Sequence, residues 1–140
     1  MPNRNVHLPV GRAAGVATAG YLAKDEDWFL ILLRASGGYL GGKAGALAPD
    51  IIDPSSNGPN HRSIGHGIVP LSSIALLGKD ALTGLRNKLM EWAEKFDRGR
   101  FPVFTWLCHF AIGLIDGFLA GYLSHVALDS MTPKGLPVIA

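Results

Sequence analysis

One stretch decides most of what this chain can become. Phe101 to Leu128, FPVFTWLCHFAIGLIDGFLAGYLSHVAL, carries a single formal charge, Asp116, and two histidines, His109 and His125. As an α-helix it is about 42 Å long, against ~30 Å for the hydrocarbon core of a bilayer. Buried helices of soluble cores are seldom this long. The run therefore predicts a membrane-crossing helix, with the core helix of an unusually apolar soluble domain as the alternative. Composition agrees: 17% of the 140 residues are charged, 48% are hydrophobic and 18 are glycine. Soluble domains carry about 25% charge and ~7% glycine. The same numbers exclude intrinsic disorder, which needs low hydrophobicity and high net charge. A lone cysteine, Cys108, excludes a disulfide scaffold. A net charge of +2, with bases interleaved among acids, leaves no basic patch for nucleic acid. The length fits one domain, residues 1–140.

Three weaker apolar stretches accompany the long one. Trp28 to Pro49 is long enough to cross but holds Arg34 and Lys43, which can snorkel if they lie near the interfaces. Ile64 to Gly78 is short and contains Pro70, which kinks a helix or starts one. His7 to Ala23 is rich in Ala and Gly with one charge, Arg12, and lacks the leucine-rich core of a cleaved signal peptide. The expected fold is all-α: a membrane-embedded bundle of three or four hydrophobic segments plus one amphipathic helix.

Glycine spacing points the same way. Gly113, Gly117 and Gly121 recur every fourth residue, as do Gly37, Gly41 and Gly45, with Gly38 and Gly42 beside them and Gly11 and Gly15 in the first segment. Four-residue spacing puts small residues on one helical stripe, where two backbones can approach closely in lipid. In a water-exposed helix each glycine costs about 0.8–1.0 kcal/mol relative to alanine. For Gly37 to Gly45 a glycine-rich loop is the competing reading.

Lys79 to Arg100 is the polar exception. Leu85, Leu89, Trp92 and Phe96 recur at spacings of four, three and four, an amphipathic pattern, among six basic and four acidic residues. It reads as a helix lying at the membrane surface or capping the bundle, and the basic residues favour the cytoplasmic side. Asp53 to Ser63 is the most turn-rich stretch and reads as an ordered loop.

Polar residues are few, so their placement carries information. His125 and Asp129 are one helical turn apart at the end of the long segment, where they can share a metal or the carboxylate can orient the imidazole. Asp50 and Asp53 follow the glycine-rich segment; two carboxylates there offer hard oxygen ligands or simply build a turn. His61, Arg62 and His66 fall within six residues, and Arg62 suits bidentate contact with phosphate or carboxylate. His7 lies on the stripe of Gly11 and Gly15 and so can face the bundle interior. Ionisable groups near membrane-segment ends are functional candidates because lipid exposure is costly. His109 and Asp116, nearly two turns apart, share another face of the long helix, with His125 about 180° round from Asp116. They are expected to serve interhelical hydrogen bonding, with an ion or proton pathway as the alternative.

The elements PDIID (Pro49–Asp53), HRSIGH (His61–His66) and GYLSHVALDSMTPKGLPV (Gly121–Val138) occur in an order that resembles a bacterial and archaeal family of inner-membrane proteins described as metal-dependent hydrolases, typified by the LexA-regulated inner-membrane protein of enterobacteria. That family's pattern is an early His, a Pro-Asp element, an Arg followed by a His, then Gly-Tyr-x-x-His-x-x-x-Asp-x-x-Thr-Pro-x-Gly. Here it falls on His7, Asp50, Arg62 with His66, and Gly121 to Gly135 with His125 and Asp129. Many members read Pro-Asp-Ile-Asp-His-Pro where this chain has Ile52 and Asp53, and Ser where it has Gly67.

The resemblance implies a multi-pass protein of the inner membrane, with membrane lipid as its surroundings and no nucleic-acid partner. It implies a divalent metal, zinc or else manganese, on His66, His125 and Asp129, completed by Asp50 and His7. A metal-activated water would attack a phosphoester or lipid-linked substrate, with Asp53 or Asp50 as general base and Arg62 on the anionic group. The alternative from a different class is a small scaffold or partner-binding protein whose His, Asp and Arg residues form a structural polar network.

Overall fold

A computed structural model describes residues 4–52 and 79–131. Among them the chain forms four α-helices and no strand: α1 Arg4–Leu22, α2 Trp28–Ile52, α3 Lys79–Arg98 and α4 Pro102–Ser130. The expected all-α class is the one observed. The first, second and fourth helices fall on three of the four apolar stretches and the third on the polar one. The stretch Ile64 to Gly78 and the turn-rich loop from Asp53 lie outside the described residues.

The helix ends follow local chemistry. The Asp27 carbonyl accepts from the Ile31 N–H at 3.0 Å and opens α2. The sequence Gly99-Arg100-Phe101 turns the chain between α3 and α4. Arg100 takes the left-handed conformation there (φ 60°), and Pro102 stands in the first turn of α4, where a missing N–H costs nothing.

Packing is organised by bare backbone. α2 lies between α1 and α4, and α4 also touches α1 and α3. One glycine row of α2 meets α4: a Cβ at Gly37, Gly41 or Gly45 would strike the carbonyl of Phe110, Leu114 or Phe118. Reciprocally, a Cβ at Gly113, Gly117 or Gly121 would strike the backbone of Arg34, Gly38 or Gly42. The second row of α2, Gly38 and Gly42, meets Gly15 and Gly11 of α1 in the same way. The loop alternative for Gly37 to Gly45 is thus overturned: these residues lie in a helix interior because each has a facing backbone that tolerates no side chain.

The sequence reading and the structure part at three points. Among the described residues one helix, α4, is long and apolar enough to cross a membrane, with a mean hydropathy of 1.7. The expectation of three or four such segments counted α1 and α2, where glycine, Arg12, Arg34 and Lys43 dilute the apolar residues. Arg34 does not snorkel. It is 1% exposed, held inside by partners on three other segments. In α3 the apolar stripe is only partly used: Leu85 and Trp92 stay exposed while Ala93 is buried. Its contact face is Ala93, whose carbonyl accepts from Thr105 Oγ1 at 3.3 Å, and Phe96, whose ring lies 5.1 Å from that of Phe104.

Candidate metal centre

The glycine rows bring α1, α2 and α4 close enough for their polar residues to meet at one end of the bundle. His7 lies in the second turn of α1, Asp50 in the last turn of α2, and His125 and Asp129 in the last two turns of α4. His7, His125 and Asp129 are 3%, 1% and 3% exposed. His7 Nε2 lies 3.5 Å from one oxygen of Asp129, and His125 Nε2 lies 3.5 Å from the other. Asp50, with its side chain half exposed, brings an oxygen to 3.7 Å of His125 Nε2. The two imidazoles stack, with centroids 3.9 Å apart and planes inclined by 17°.

The tautomer of His125 follows from a backbone group. Its Nδ1 lies 2.5 Å from the carbonyl oxygen of Ala46. A carbonyl only accepts, so Nδ1 carries a proton and Nε2 faces the carboxylates. Pro49, fully buried in the last turns of α2, cannot donate to the carbonyl four residues back and crowds that turn. Ala46 lies one residue beyond that carbonyl. Sequence reasoning did not find Ala46, since a backbone acceptor has no residue signature.

The ligand-type atoms of His7, His125 and Asp129 lie within 4.8 Å of one another. Two atoms bound to one tetrahedral zinc at ~2.0–2.1 Å are about 3.3–3.4 Å apart. The 3.5, 3.5 and 3.7 Å separations are close to that value and longer than the ~2.7–2.9 Å of a direct charged hydrogen bond. Two nitrogens and carboxylate oxygens form a donor set suited to zinc or manganese. The residues present fit a divalent cation. The other sequence candidates, Asp53, His61, Arg62 and His66, lie outside the described residues.

A second polar cluster sits toward the other end. Arg34 Nε donates to His109 Nδ1 (3.2 Å), its other nitrogens to the Leu22 carbonyl (3.3 Å) and Met90 Sδ (2.9 Å), and Glu26 Oε1 stands 3.5 Å away. Arg86 Nε donates to Asp116 Oδ1 at 3.2 Å. His109 and Asp116 therefore hold interhelical bonds, as expected. Their partners on α2 and α3 were not predicted, because nothing in the sequence marked Arg34 as interior.

The model of the YdjM inner membrane protein family matches residues 1–140. The chain belongs to that family. Its placement in an inner-membrane family accords with α4 as a span. No curated protein and no solved structure matches the chain.

Proposed function

We propose that this YdjM-family protein is a multi-pass, membrane-bound metal-dependent hydrolase, with its centre at the His7, His125 and Asp129 end of the bundle. The observation that carries this reading is the His125 tautomer. A ring fixed with Nδ1–H on a carbonyl directs its Nε2 at two carboxylates, and a cation between them would draw on all three groups as ligands. Zinc is the proposed metal, manganese the alternative, and Asp50 and His66 complete the set. Such a cation supplies Lewis acidity and makes a water nucleophilic near neutral pH.

The chain's own groups divide the remaining work. Ala46 orients His125. Asp129 spans the two imidazoles. Asp50, half exposed at the edge of the site, or Asp53 accepts a proton as general base. Arg62 holds the anionic part of a phosphoester or lipid-linked substrate. The multi-pass reading rests on α2, which packs on the α4 span through glycine, and on α1, which packs on α2 in the same way; the two present Val10, Val16, Phe29, Leu32 and Leu40 outward.

Metal analysis of the detergent-purified chain, with and without His125→Ala, tests the reading, together with zinc-dependent hydrolysis of an aryl phosphodiester. One zinc per chain that the variant lacks, with helicity retained, is the expected result. Purified protein that takes up no zinc or manganese when supplied removes the proposal. The second reading, a scaffold held by polar contacts, draws on the Arg34 and Arg86 clusters, which need no metal. It gains if His125→Ala unfolds a chain that never held metal.

A further inference from the structure

Among the arginines of the described helices, Arg34 faces Glu26 and Arg86 faces Asp116. Arg12 is different. Its Nε is buried with no hydrogen-bond partner, no carboxylate among the described residues pairs with it, and its guanidinium lies 5.0 Å from the centroid of the Tyr39 ring. A half-buried guanidinium in a lipid-facing helix, with a donor unmet, calls for an anion.

The surface around Arg12 has the shape of an amphiphile. Two adjoining hollows of about 550 and 430 Å³ share Val16 and Tyr39. The first runs from Pro9 and Arg12, the second on to Leu32 and Phe110, and Arg12 is the one charged residue in either lining. α1 and α2 run antiparallel, since Gly11 faces Ala46 and Gly15 faces Gly38. Pro9 to Val16 on α1 and Tyr39 to Leu32 on α2 therefore add end to end. At 1.5 Å per residue the furrow is about 20 Å long, enough for one leaflet's ~15 Å of chain. Helical side chains lean toward the N-terminus, so Arg12 leans toward the end of α1 that carries His7. A cation thus stands at one end of an apolar trough.

We propose that this α1–α2 furrow binds an anionic phospholipid, its phosphate on the Arg12 guanidinium and one acyl chain along Val16, Tyr39 and Leu32. The planar fork of Arg12 matches phosphate oxygens two at a time, and the Tyr39 face holds it flat. The inference rests on the multi-pass reading of α1 and α2 and is independent of the metal centre.

The test uses the full chain in a mild non-ionic detergent, with phosphatidylglycerol or phosphatidylcholine added and bound lipid read by native mass spectrometry. Wild type is expected to retain phosphatidylglycerol about tenfold better, since both headgroups offer a phosphate but the choline ammonium cancels its charge and repels the guanidinium, a difference of about 1.4 kcal/mol. Arg12→Gln should equalise the two lipids, and Arg12→Lys should keep part of the preference. Val16→Trp, which fills the trough and leaves Arg12 in place, should lower retention of both. Circular dichroism confirms that each variant is folded, and Ala13→Leu replaces Val16→Trp if that chain fails to fold. Equal retention by wild type, an undiminished preference in Arg12→Gln, or full retention with the trough filled each overturns the proposal.

Discussion

The imidazole rings of His7 and His125, from opposite ends of the chain, lie stacked with centroids 3.9 Å apart, and both direct Nε2 at the carboxylate of Asp129. Stacked rings sharing one carboxylate give each residue a distinct expected defect. His125→Ala removes a proposed ligand and the Ala46 contact together. Asp129→Asn keeps size and shape but loses the charge shared by both rings. Loss of an outer partner in metal sites costs ~10–100-fold in affinity, so Asp129→Asn should weaken zinc binding by about 100-fold or more. A competition titration with a fluorescent chelator measures this.

Glycine packing separates two kinds of substitution. At Gly117 a methyl group meets the Gly38 backbone, and overpacking of this sort costs about 1–3 kcal/mol. At Gly84 nothing lies within 4 Å, and the helix gains about 0.8–1.0 kcal/mol from alanine. Gly117→Ala should lower the thermal midpoint and Gly84→Ala raise it. Equal effects from the two would remove the glycine rows as the basis of packing.

At His109 the isostere matters more than the charge. Arg34 Nε can only donate, so His109 Nδ1 accepts. Gln can replace that acceptor; Leu cannot and leaves a buried donor unmet, at about 1–3 kcal/mol. His109→Leu should therefore destabilise well beyond His109→Gln in denaturant unfolding.

Arg86 and Asp116 join α3 to the middle of the span, and Asp116 Oδ2 has no hydrogen-bond partner. Arg86→Met should cost about 3–5 kcal/mol by leaving a buried carboxylate alone, and adding Asp116→Leu should restore most of it. A double-mutant cycle on thermal unfolding reads the coupling.

What the sequence made legible was periodicity. The glycine stripes, His7 on the stripe of Gly11 and Gly15, and the one-turn spacing of His125 and Asp129 could all be placed on faces before any coordinates. The structure sets those faces together. Partnership was harder to see. Arg34 looked like a snorkelling residue because one helix taken alone has no inside, and its interior appears only when Glu26, Met90 and His109 close over it. In α3 only part of the apolar stripe meets the bundle. Trp92 remains exposed while Arg86 and Met90 turn inward, since the ion pair with Asp116 and the sulfur contact with Arg34 decide the orientation more than hydropathy does.

The bare faces of α2 carry one more implication. Because that helix presents hydrogens on two sides, it acts as a thin shim, and its thickness gauges the gap across which the rings on either flank must meet. A single methyl added to one row would prise the flanking helices apart and with them the stacked imidazoles, so the calibration of the polar end is written many ångströms away in residues that have no side chains at all.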